Sequence, residues 1–292
     1  MKKLYNRSKC LAFILACQTA DGGFAHRPEE HANMEATRFA VDTLNILGDT
    51  NYTAYIRTSG YIKWVETCQN QDGGFRCVVE EGKSELDATY YAIRILTISN
   101  RIVSYKDRCI DWLNAHRCDG GFASYGSCDI DSTYYGIQAL TMLGTQIHQK
   151  NKIVEFIKVC EVPSGGFGNM PGEEEEDMDR TYEAIHTLRI LEKPIPHRDI
   201  HIKWINSCSG PHGGFKNRPT RDAEMRSTYW ALHSLKLLRT NPSQCNKHIR
   251  WICTHQSSDG EFANNTTFTS NLWYTYCAVH SLALLGYLHR KI

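Results

Sequence analysis

The sequence predicts an all-α fold, an (α/α)6 arrangement in which six helix pairs close into a ring of two concentric layers. Three observations predict it. A Gly-Gly-Phe signature recurs at Gly22-Gly23-Phe24, Gly73-Gly74-Phe75, Gly120-Gly121-Phe122, Gly165-Gly166-Phe167 and Gly213-Gly214-Phe215, with a decayed sixth copy at Gly260-Glu261-Phe262. A threonine that opens an apolar stretch keeps step with it, at Thr37, Thr89, Thr133, Thr181, Thr228 and Thr275. The chain has 292 residues, 41% of them hydrophobic and 22% charged, which is enough apolar material for a large core and excludes disorder. Two anchors in register at about 47 residues mark a repeat architecture, here one domain over residues 1–292.

Each unit reads as two helices. The first is a segment such as Tyr61-Ile62-Lys63-Trp64-Val65-Glu66-Thr67-Cys68, which runs to Asp72 and breaks at the glycine pair. The second is a segment such as Ala88-Thr89-Tyr90-Tyr91-Ala92-Ile93-Arg94-Ile95-Leu96, apolar over most of its circumference and therefore buried. The apolar second helices belong inside the ring and the more polar first helices outside.

In the first repeat, Lys2-Lys3 and the run Leu11 to Cys17 superficially resemble a secretion signal. The repeat argues otherwise, because Cys17 to Phe24 superimposes on Cys68 to Phe75 and cleavage there would remove a structural helix. Cys160 and Cys208 share that register, which reads as packing, since a free cysteine behaves as a small buried hydrophobe. Twelve cysteines without a C-x-x-C pair give no zinc-ribbon or disulfide framework and point to unpaired thiols in a reducing, cytoplasmic setting. No apolar run approaches the roughly 20 residues of a membrane span. A net charge of +1 offers no field for nucleic acid.

The repeated Gln-x-x-Asp-Gly-Gly-Phe, followed by an inner helix opening with Thr-Tyr-x-Ala, resembles the alpha-alpha toroid superfamily of protein prenyltransferase beta subunits and class II terpene cyclases. The likeness covers nearly the whole chain. It implies a lumen that holds an isoprenoid chain between aromatic walls, with polar groups at its mouth.

The fifth repeat tests the prenyltransferase branch, in which a basic pair holds the isoprenyl diphosphate while Asp, Cys and His bind zinc. Arg218 and Arg221 match the basic positions, but Glu224, Arg226 and Tyr274 stand where the three zinc ligands belong. One candidate ligand in three does not make a zinc site, so zinc is not expected. Arg218, Arg221 and Arg226 remain as an expected cluster for gripping diphosphate oxygens. Solvated arginines are the plainer reading, and Arg27-Pro28 repeats the register of Arg218-Pro219.

The cyclase branch turns on an Asp-x-Asp-Asp-Thr motif whose middle Asp donates the initiating proton. Asp129-Ile130-Asp131-Ser132-Thr133 and Asp177-Met178-Asp179-Arg180-Thr181 both approach it. The resemblance makes Asp131 the acid and Asp129 its partner, because two carboxylates sharing a proton raise the pKa of one. Asp179, with Asp177, is the corresponding pair of the fourth repeat, where Arg180 favours the ionised form and is itself a candidate substrate-binding residue. The competing role is helix capping, which needs ionised carboxylates. The run Glu173 to Asp177 is either a solvated loop or a Mg2+ site for a diphosphate substrate. Among the aromatics opening the inner helices, Tyr134, Tyr229, Trp230 and Tyr274 are expected to line the chain, and their faces suit carbocations.

The expectation is a zinc-independent isoprenoid enzyme, a proton-initiated cyclase acting on a polyprenyl chain or prenyl diphosphate. A prenyl-transferring enzyme with an unusual acceptor and a non-catalytic prenyl-binding subunit are the alternatives. A second subunit is a possible partner, since related cyclases set their site between two helical domains.

Overall fold

The structure, a computed structural model, describes residues 5–48, 60–80, 82–265 and 270–288; Lys2 and Lys3 lie outside them. The described residues form twelve helices in six pairs. The outer members are α1 (Arg7–Ala16), α3 (Tyr61–Thr67), α5 (Lys106–Ala115), α7 (Lys150–Val159), α9 (Arg198–Ser207) and α11 (Cys245–Thr254). The inner members are α2 (Met34–Leu47), α4 (Leu86–Ile98), α6 (Ile130–Met142), α8 (Met178–Ile190), α10 (Met225–Leu237) and α12 (Leu272–Leu284). Each inner helix packs on the next, and α12 packs on α2, which closes the ring. Two short antiparallel pairs, β1 (Arg117–Cys118) with β2 (Gly121–Phe122) and β3 (Phe215–Lys216) with β4 (Ala223–Glu224), brace the loops of the third and fifth repeats.

The two sequence anchors keep step because they bond to each other. In every repeat the N–H of the signature phenylalanine donates to the Oγ1 of the anchor threonine, from Phe24 to Thr37 through Phe262 to Thr275, at 2.8–3.0 Å. The six phenylalanines and six threonines are buried, so the bond satisfies an amide that would otherwise be lost from water. Most of the threonines close a second bond, as when Thr181 donates to the Asp177 carbonyl at 2.7 Å. The loop is thereby pinned to the first turn of its own inner helix.

Neighbouring repeats are joined by a further rule. The first amide of an inner helix donates to the residue two places after the signature phenylalanine of the next repeat: Met34 to Cys77 O, Ile130 to Asn169 O, Met225 to Asn264 O and, across the closure, Leu272 to His26 O. Gly260, with φ +110°, lies so close to α1 that a Cβ would stand 2.3 Å from the Lys9 carbonyl carbon. This explains why the decayed sixth copy keeps its first glycine. Glu261 takes the second place, and the facing helix α1 has Phe13 at the register where α3, α5, α9 and α11 carry the bulkier Trp64, Trp112, Trp204 and Trp251.

Cys17, Cys68, Cys160 and Cys208 are buried free thiols, and burial pushes each up to about 12. The reading of all cysteines as unpaired is corrected at one place: Cys118 and Cys128 form a disulfide, Cα–Cα 5.8 Å, because the β1–β2 turn folds back on the segment that enters α6. No helix among the described residues is long and apolar enough to cross a membrane.

Candidate functional site: the lumen of the ring

The inner helices point their N-termini at one face of the ring, and their repeat register stacks the lumen side chains in layers. Two residues before each anchor threonine stand Glu35, Asp87, Asp131, Asp179, Arg226 and Trp273. This layer is the mouth, and four of its six members are acids.

Asp131 and Glu183 converge on one guanidinium. Arg180 Nη1 lies 2.8 Å from Asp131 Oδ1 and 2.7 Å from Glu183 Oε2. Glu183 is almost wholly buried, its side chain 4% exposed, whereas Asp131 keeps 35%. Burial pushes the Glu183 carboxyl well above the usual carboxylate range; Arg180 opposes this, while Asp131 and Asp179 add to it. Asp87 is also raised, first by burial and then by the charges of Glu35 and Asp131, with the Ala88 amide working against them. Asp131, Asp87 and Tyr135 border a cavity of about 240 Å3 with Glu85, Ser124 and Tyr125.

The other expected site residues are placed differently. Asp129 caps α6, accepting from the Ser132 N–H at 2.8 Å, and its carboxyl is raised by burial. Asp179 accepts from the Arg180 N–H at 3.2 Å. Asp177 accepts from Asn217 Nδ2 at 2.8 Å and pairs with Arg218 Nη2 at 3.0 Å.

The expected cluster of three arginines is not assembled. Arg218 is held by Glu175, Asp177 and the Glu176 carbonyl, its Nε 2.8 Å from the last. Arg27 makes the same seam bond two places round the ring, its Nε donating to the Ser270 carbonyl at 3.1 Å. This register clamps a loop to the preceding repeat, which is why it is basic in both places. Arg221 is exposed. Arg226 faces the sixth repeat instead, 3.6 Å from Glu224 and with its guanidinium 5.4 Å from the Trp273 ring centroid.

The positions equivalent to the family's zinc ligands offer one carboxylate, a guanidinium and a phenol, and Glu224 is already bonded to Ser227 and Asn264. That donor set does not fit zinc. The acidic run does not converge on a point for Mg2+ either. Glu173 accepts from the Asn169 N–H, Glu176 from Trp204 Nε1, and Glu175 and Asp177 hold Arg218.

Below the mouth lies an aromatic belt. Tyr90, Tyr134, Tyr182, Tyr229 and Tyr276 each follow an anchor threonine, with successive centroids 5.2–6.3 Å apart. Burial raises the phenols of Tyr134 and Tyr229 well above the usual value, so they stay protonated. Trp230 stacks on Tyr182 at 4.8 Å, and Tyr274 lies half-buried against Trp273. In the first repeat the tyrosine position is Arg38, whose buried guanidinium sits 4.6 Å from the Tyr276 centroid and 5.0 Å from that of Phe39. It bonds Asp42 at 3.0 Å and the Tyr276 hydroxyl at 2.6 Å.

One turn deeper, five residues after each threonine, is a polar layer: Asp42, Arg94, Gln138, His186, His233 and His280. Arg94 Nε donates to Asp42 Oδ2 at 2.8 Å. Gln138 Nε2 and the Tyr182 hydroxyl lie 3.0 and 2.9 Å from His186 Nδ1. Burial pushes His186 down to about 4 and His233 and His280 well below the usual imidazole value.

The sequence reading missed Glu183, Arg38 and this layer. The signal was the register: an acid stands at Glu183 where four other repeats carry Phe39, Tyr91, Tyr135 and Trp230.

The model of the prenyltransferase alpha-alpha toroid domain family matches residues 2–132 and 127–292. The beta subunit of protein farnesyltransferase from Pisum sativum is 31% identical over 88 residues, which are 30% of this chain and 21% of that protein; the chain thus spans about a fifth of the curated relative it matches. Among solved structures, Candida albicans protein geranylgeranyltransferase-I superimposes with a TM-score of 0.74 at 16% identity, over 95% of this chain and 90% of that one. The type II terpene cyclase MstE from Scytonema does so with a TM-score of 0.72 at 12% identity, over 97% and 96%. At these identities the two structures are alike in fold alone.

Proposed function

The chain belongs to the prenyltransferase alpha-alpha toroid domain family, and from that premise we propose that it is a zinc-independent isoprenoid enzyme of the acid-initiated, terpene cyclase type. The observation that carries this reading is the buried carboxyl of Glu183, bonded to Arg180 beside Asp131 at the head of an aromatic belt.

The charge count explains how a proton is stored there. With both carboxyls ionised, two negative charges oppose one guanidinium in a poorly solvated place; protonating Glu183 leaves a neutral cluster. Glu183, rather than Asp131, then holds the proton. It is transferred to the terminal alkene of a bound polyprenyl chain: a C–H bond forms from the alkene π pair, the O–H pair stays on the carboxylate, and the cation develops on the more substituted carbon. Arg180 stabilises the new carboxylate, and Asp131 holds Arg180 in place. Tyr134, Tyr182, Tyr229 and Trp230 present ring faces to the chain and exclude water.

The test is incubation with farnesyl and geranylgeranyl diphosphates, with product analysis. A cyclic product is expected, with Glu183→Gln lowering its rate by at least 100-fold and Asp131→Asn by less. A Glu183→Gln protein that cyclises at the wild-type rate overturns the assignment. The pea farnesyltransferase match favours one second reading, prenyl transfer to an acceptor other than a zinc-bound thiol. The sign of that reading is a coupled product that forms only when acceptor is supplied. A companion subunit, as a beta subunit has, is part of either reading.

A further inference from the structure

The polar layer in the middle of the lumen, taken with Arg38 of the belt one turn above it, has more cations than anions. Arg38 Nε and Arg94 Nε both donate to the single oxygen Asp42 Oδ2, so two guanidinium groups share one carboxylate. No other acid stands in that layer. Facing them, His233 Nε2 and His280 Nε2 are buried atoms with no hydrogen-bond partner among the described residues. His280 is itself only 8% exposed. Arg94 nevertheless keeps 30% of its side chain open although it lies on an inner helix, so the lumen is not filled at this depth.

Two orphaned buried nitrogens beside a surplus positive charge require a common explanation. An apolar chain end satisfies neither nitrogen, and a cation, which a bare imidazole nitrogen could bond, adds to the surplus positive charge. An oxyanion balances the charge and satisfies both, accepting from neutral imidazoles in their Nε2–H tautomer and from Arg94.

We propose that Arg94, His233 and His280 form an oxyanion-binding site in the middle of the lumen, which takes the carboxylate or phosphate of a ligand entering from the mouth. It lies seven residues down the inner helices from the mouth acids, about 10 Å along their axes, and is separate from the Asp131–Arg180–Glu183 cluster. A ligand with an anionic group at one end and an isoprenoid or other apolar body then spans the tyrosine belt with its head below and its tail toward the mouth.

The experiment is calorimetric titration of the whole chain with acetate, inorganic phosphate, farnesoic acid and farnesol. The three anions are expected to bind, farnesoic acid at least tenfold more tightly than either farnesol or acetate. Arg94→Met is expected to remove the anion preference, and His280→Phe to weaken it by at least fivefold. Because Arg94→Met disturbs the Asp42 pairing, a second readout uses wild-type protein alone: the Nε2 resonances of His233 and His280 shift on adding acetate. Anions that move neither resonance, or that bind His280→Phe as tightly as wild type, overturn the proposal and leave a water-filled layer. Neither result bears on Glu183, whose own test is the loss of cyclisation.

Discussion

At the scale of single residues, burial rather than charge pairing sets the chemistry of the lumen. Glu183 and His186 illustrate opposite signs of one effect, because desolvation disfavours whichever form is charged. The folded chain keeps His186 neutral down to about 4, against 6.5 for an exposed imidazole. Between those values the unfolded chain binds the extra proton, so stability falls as pH drops from 6.5 towards 4 and is constant above that window. His186 alone is expected to cost about 2 kcal/mol between pH 7 and pH 5, read as a lower urea midpoint at pH 5 that His186→Gln reduces by that share while His233 and His280 keep theirs. Glu183 works the other way: its raised carboxyl holds a proton that the unfolded chain has released, so its contribution is lost as pH rises above 4.5. Asp42 is the residue on which two guanidiniums depend. Asp42→Asn leaves Arg38 and Arg94 without a counter-charge and is expected to destabilise by about 3–5 kcal/mol, measured by chemical denaturation.

At the scale of elements, the unit of construction is a loop and the helix it pins. The signature phenylalanine offers its amide and the anchor threonine its hydroxyl in all six repeats, which is why neither strays from register with the other. Thr181→Val keeps the shape and removes the hydroxyl, leaving the Phe167 amide unpaired in the core. A loss of about 1–3 kcal/mol is expected, with Thr181→Ser losing less; a Thr181→Val protein as stable as wild type beside a destabilised Thr181→Ser would show that the methyl and not the bond matters. The acids at the starts of the inner helices divide between two tasks on this scale. Asp129 caps its helix, while Asp131, two residues on, reaches across to Arg180 on α8. Sequence spacing treats the two as one motif; helix geometry points them in different directions.

At the scale of the whole molecule, closure turns six similar units into a lumen with two ends. The last seam is made by the least regular repeat, through Gly260 against Lys9 and the Leu272 amide on His26. Gly260→Ala forces a side chain into the α1 backbone at positive φ and is expected to lower the melting temperature by at least 5 °C. The same change at Gly126, also at positive φ but with no atom within 4 Å of the added Cβ, is the control for backbone strain without a seam. The sequence by itself determined the repeat, the pairing of an outer with an inner helix in each unit and which member of each pair is buried, because these depend on local periodicity and residue type. Only the tertiary structure decided that Arg218 clamps a seam while Arg226 faces the next repeat, that Asp131 and Glu183 share Arg180, and that three histidines form a layer with Arg94. These relations join residues about one repeat apart or more, and the ring that brings them within 3 Å or leaves them separate exists only once α12 has closed on α2.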